Sequence, residues 1–177
     1  MVIRFMGMNR RGDRMVITLY FTLSWMMMGL LIFHRQRSKE SRRDIIFLVL
    51  LTCLINTHTY LGLFETFNWI KTTTIPKLYI AFLLFRSVFI PLFISYLTLY
   101  LAYKSLRKQL VLVFLFCFII IGIDIINVQS GLYTFKKWNY TFTVIYYLLY
   151  LFFVRGALQW FRGLEGENNN DVGRRQI

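Results

Sequence analysis

Apolar residues along this chain gather into five long runs, and nearly all of the charges lie between them. Residues 15–33 and 45–64 contain no charged side chain, and neither does the run that starts near Trp138 and ends before Arg155. Residues 78–103 hold one charge within the run, Arg86, and residues 110–126 hold one, Asp124. A helix that crosses a bilayer needs about 20 mainly apolar residues, at about 1.5 Å each over about 30 Å of hydrocarbon. Each run is long enough, if the last continues to Trp160. A transmembrane barrel would instead show ten-residue segments of alternating polarity. The pattern predicts an all-α polytopic bundle with spans at 15–33, 45–64, 78–103, 110–126 and 138–160. A basic tail (1–14) precedes the single membrane domain (15–160), and residues 161–177 read as a disordered end.

Composition agrees. Of 177 residues 57% are hydrophobic, 19% aromatic and only 16% charged. Soluble domains carry about 25% charge, so a soluble globule is excluded, as are a disordered chain and a coiled coil. The net charge of +13 would suggest nucleic acid in a soluble protein. Here the bases flank apolar runs, so nucleic acid is not the expected partner. The bilayer is, together with anionic lipid head groups on the basic side. Cys53 and Cys117 each fall inside an apolar run and form neither a disulfide framework nor a metal cluster.

The distribution of bases predicts orientation. Arg35, Arg37, Lys39, Arg42 and Arg43 follow the first span, and Lys104, Arg107 and Lys108 follow the third. Arg155, Arg162, Arg174 and Arg175 follow the fifth. The other connections carry only Lys71 and Lys77, and Lys136 and Lys137. The positive-inside rule then places the C-terminus in the cytoplasm and the N-terminus outside. Arg4, Arg10, Arg11 and Arg14 oppose this, and initiation at Met15 would remove them. The Arg-rich start resembles a signal peptide, but its apolar run is too long and lacks an A-x-A-like site, so it reads as an anchor.

No phosphate loop, HExxH, CxxC pair or G-x-S-x-G occurs, so no catalytic residue, cofactor or metal is expected. The candidate chemistry lies in polar groups at membrane depth, which are costly there and mark functional sites by default. Arg86 sits about 12 Å into the third span. Pro91 should kink that helix and free the carbonyl of Ser87. Asp124 and Asn127 share a face of the fourth span, and an Arg86–Asp124 ion pair would relieve both charges. Asn56, His58 and Glu65 lie toward the same side in the second span, with Thr52, Asn56 and Thr59 on one face. Tyr140, Thr143, Tyr147 and Tyr150 form a stripe in the fifth. The polar groups thus crowd the outer half and leave the cytoplasmic half almost purely apolar. That arrangement suggests an outward polar cavity roofed by the loops of Trp69 and Trp138, or a network that only fixes packing.

The segment Gly131-Leu-Tyr-Thr-Phe-Lys-Lys-Trp138-Asn139, followed by Thr143 and a Tyr-rich last helix, resembles a family of small Gram-positive integral membrane proteins. They are common in endospore formers, have four or five spans and have no assigned function. The resemblance implies a bacterial plasma membrane and carries over no catalytic residue. Three function classes are open, and the first is the leading expectation. The first is a non-enzymatic accessory or structural protein, a partner subunit of a larger assembly. The second is a small carrier or receptor for a polar or anionic solute, with a pocket around Arg86, Asp124, Asn56, His58, Glu65 and Asn127. The third is a membrane enzyme that uses His58, Glu65 and Asp124 in acid–base chemistry. A closed bundle with Arg86 paired internally would favour the first; an unpaired Arg86 lining a cavity would favour the second.

Overall fold

A computed structural model describes residues 10–37, 42–102 and 104–174. The expectations that involve Arg4, Lys39, Tyr103 and Arg175 lie outside the described residues. Helix α1 (Arg10–Arg37) is followed by α2 (Arg42–Tyr60), which passes into a π-helical segment (Leu61–Thr66). Strand β1 (Ile70–Thr72) leads into α3 (Pro76–Leu84), a second π-helical segment (Phe85–Phe89) and α4 (Ile90–Ala102). Then come α5 (Leu106–Gln129), β2 (Tyr133–Phe135) and α6 (Tyr140–Arg174). Five helical stretches are long and apolar enough to span a membrane: Met15–Gln36, Arg42–Thr66, Pro76–Ala102, Leu106–Gln129 and Tyr140–Leu164. The protein is an all-α multi-pass bundle, with boundaries a few residues wider than the hydropathy suggests. α6 also runs on to Arg174, through the segment expected to be a loose tail.

The third span is the axis. More than half of its most apolar window is buried inside the bundle, against a third or less in the other spans. α1, α2 and α6 all pack on its pieces, and its Ser95 and Thr98 are fully buried. Thr98 returns its hydroxyl to the Ile94 carbonyl at 2.8 Å, and Thr52 of α2 meets the Ser95 hydroxyl at 3.1 Å. Each buried hydroxyl therefore has a partner, as a dry interior requires.

The connections contain a feature that hydropathy does not announce. β1 and β2 pair antiparallel, with Ile70 opposite Phe135, Lys71 opposite Thr134 and Thr72 opposite Tyr133. The ribbon is extended by Thr73 N–H to the Leu132 carbonyl (2.9 Å) and by Lys136 and Lys137 N–H to the Trp69 carbonyl (2.9 and 3.1 Å). It joins the turn between the second and third spans to the turn between the fourth and fifth, and so defines a ribbon end of the bundle. Local signals fix where the chain enters it. Gly131, at φ 72°, closes α5 in a Schellman motif, with Leu132 N–H on the Asn127 carbonyl and Gly131 N–H on that of Val128. Pro76 opens α3, where a missing N–H costs nothing. Asn139 caps α6 by accepting the Phe142 N–H at 2.9 Å.

At the opposite, basic end the polar side chains that border the spans pair with one another. Asp44 is buried in the first turn of α2 and is gripped by Arg162 of α6, with Nε at 2.8 Å and Nη2 at 2.7 Å from one carboxylate oxygen. Phe47 stacks on Phe161 beside this pair, centroids 4.3 Å apart. Arg155 donates to Gln109 at 2.7 Å, and Gln109 in turn donates to the carbonyls of Leu101 and Lys104.

Candidate functional site

At the ribbon end a cavity lies between α2, the third span, α5, α6 and the ribbon. Its polar lining includes Asn56, Thr59, Arg86, Asp124 and Thr143, and aromatic rings supply much of the remainder. The cavity volume is about 70 Å³. One water needs about 10–15 Å³ on that measure, so several waters or one small solute fit.

Arg86 reaches the cavity because Pro91 changes the register of its helix. The Ile90 N–H bonds back to the Phe85 carbonyl, five residues away, which forms the second π-helical segment. In that register the Arg86 carbonyl should accept from residue 91, and proline has no N–H to give. The freed carbonyl is thus that of Arg86, not Ser87 as the helical register alone suggests. Asn56 supplies the missing donor, its side-chain amide 2.5 Å from the Arg86 oxygen. π-Helical turns of this kind recur at functional sites.

The guanidinium of Arg86 lies flat against the end of α2. Its carbon is 3.4 Å from the centre of the Tyr60 ring, and Nη2 makes long contacts of 3.4 Å to the carbonyls of Asn56 and Thr57. Nε is buried and has no hydrogen-bond partner among the described residues. The expected ion pair with Asp124 does not form: both residues line the cavity, yet no guanidinium–carboxylate contact joins them.

Asp124 is instead held by a neutral donor. The Tyr133 hydroxyl, on β2, donates to Oδ1 at 2.5 Å, and Thr143 of α6 lines the same cavity. The Thr143 hydroxyl accepts the Trp138 indole N–H at 2.8 Å. Asn127 contacts the Tyr133 oxygen at 3.4 Å and accepts the hydroxyl of Tyr20, which brings α1 into the network. Burial, with the Asp124 carboxylate beside it, holds the Tyr133 phenol well above its usual 10.0. Such a fully connected set is where a low dielectric strengthens hydrogen bonds.

Of the six site residues expected from sequence, Arg86, Asp124 and Asn56 line the cavity. Asn127 is fully buried behind it in the Tyr133 network. His58, at the end of α2, and Glu65, in the π-helical segment, are exposed and not part of the lining. In the tyrosine stripe, Tyr147 and Thr143 line the cavity, Tyr150 lies deeper and donates to the Thr52 carbonyl at 2.6 Å, and Tyr140 is exposed. Sequence reasoning missed Tyr60, Tyr133 and Tyr146 as site residues; Tyr146 donates to Thr59 at 3.2 Å. Trp138 roofs the cavity as expected, whereas Trp69 packs against it from outside the lining, centroids 6.0 Å apart. No group of three or more His, Cys, Asp or Glu side chains suited to a metal occurs among the described residues.

No family model, no curated protein and no solved structure matches the chain.

Proposed function

We propose that this multi-pass membrane protein binds a small polar or anionic solute in the ribbon-end cavity, as a carrier or a receptor. One observation carries the reading: Arg86 lines a cavity without an ion pair to any carboxylate among the described residues and with its Nε donor unused. A membrane-depth arginine kept only for packing would be expected to sit against an acid, since an unneutralised charge in hydrocarbon is expensive. Here the chain supplies a ring face and two long carbonyl contacts, which stabilise the cation without a salt bridge.

In the same reading the ribbon end faces outward and the basic end faces the cytoplasm, with the N-terminus outside and the C-terminus inside. The membrane is a bacterial plasma membrane, and the bases at the cytoplasmic end meet anionic head groups. The competing role of an accessory subunit predicts a cavity that never takes a ligand.

The test is thermal unfolding of the purified protein in nanodiscs with chloride, phosphate, acetate or glycine. A ligand at a hundredfold excess over its Kd stabilises by about 2.7 kcal/mol, which is readily seen. At least one of these solutes should raise Tm. The rise should vanish in Arg86→Met and survive in part in Arg86→Lys. No shift with any of the four would leave the accessory role standing.

A further inference from the structure

The cavity carries both signs of charge and keeps them apart. Arg86 is held by elements before it in the chain, through Tyr60 and the carbonyls of Asn56 and Thr57. Asp124 is held by an element after it, through Tyr133 of β2. Each is steadied by its own neighbours, and the two do not collapse into an ion pair. A site for a simple anion gains nothing from a carboxylate in its wall, because at low dielectric the repulsion is strong. A site for a simple cation meets the same objection from Arg86. A ligand that bears both charges meets neither.

We propose that the cavity takes a small zwitterion, an α-amino acid with its carboxylate on Arg86 and its ammonium on Asp124. This rests on the solute-binding reading above and names the class of solute. Arg86 lines the cavity, and a guanidinium is the side chain whose donors best match a carboxylate. An ionised carboxylate offers about four acceptor positions. Tyr133 occupies one on Asp124, which leaves capacity for an ammonium. Tyr146 and Tyr147, adjacent in α6, also line the space, and ring faces favour a cation beside them. The modest volume selects small members of the class.

The experiment titrates the purified protein in nanodiscs with labelled glycine, and with acetate, methylammonium and N-acetylglycine as competitors. Each competitor lacks one of the two charges. Glycine should bind at least tenfold more tightly than any of them, and Asp124→Asn should narrow the glycine-to-acetate ratio below twofold. The wild-type panel decides the matter even if that variant does not fold. Acetate or N-acetylglycine binding as well as glycine would overturn the zwitterion and leave an anion site. Methylammonium matching glycine would overturn it in favour of a cation site. If chloride and phosphate as well as all of these fail to bind, the solute-binding reading falls too.

Discussion

Replacing Asn56 by Leu removes the donor to the Arg86 carbonyl while keeping the side chain's size, so little cavity opens. Two magnitudes compete. Interhelical hydrogen bonds in membrane bundles average about 0.6 kcal/mol, with a maximum near 1.7, because separated helices find other partners. A buried acceptor left without any donor costs about 1–3 kcal/mol. The second applies here, because Pro91 denies this carbonyl its own helix's N–H. The expected loss is about 1.5–2 kcal/mol. In a Pro91→Ala background the N–H at position 91 returns, or the helix reverts to regular α and Ile90 serves the carbonyl. Asn56→Leu should then cost only about 0.6 kcal/mol. The coupling of about 1 kcal/mol is measurable by steric trapping in bilayers or by reversible unfolding in mixed micelles. Equal losses in the two backgrounds would refute the link between Pro91 and Asn56.

Tyr133→Phe takes a buried donor from Asp124 and should cost about 1–3 kcal/mol in the same assay. The folded phenol ionises above its unfolded value of 10.0, so its contribution is complete below that pH and fades as pH rises past it. The gap between wild type and Tyr133→Phe should therefore stay constant to about pH 10 and change only above it. Arg162→Met strands the buried Asp44 carboxylate; with the arginine side chain 32% exposed, the loss should fall below the 3–5 kcal/mol of a fully buried pair, at about 2 kcal/mol. Cysteines at 104 and 136, probed with an impermeant reagent on whole cells, should label at 136 alone. Labelling at 104 would invert the proposed orientation.

The spans were legible because hydrocarbon imposes a length and a composition that short stretches of sequence display. Arg86 and Asp124 were legible as the charges inside their spans, and Trp138 as a roof. Their partners were not. Helical spacing places residues on a face but does not say which neighbouring helix that face meets, so an ion pair was expected where tyrosines serve instead. Tyr60 and Tyr133 look like ordinary aromatic filling until the π-helical shift and the ribbon bring them to the charges. The ribbon itself is three residues on each side, too short for alternation to reveal. Asn139 is a partial exception: a Trp-Asn pair before an apolar run reads, in hindsight of its geometry, as a helix cap and an indole donor.

How each charge is sheltered bears on how such a chain can be made. Arg86 leans on residues 56–60, which leave the ribosome before it does. It can therefore enter the bilayer already provided for, well before the last two spans exist. Asp124 leans on Tyr133, which lies 9 residues after it and leaves the ribosome soon afterwards. Neither charge must wait in lipid for the other. An Arg86–Asp124 pair would have left the arginine unsupported until α5 had been synthesised; local supports remove that requirement and allow insertion span by span.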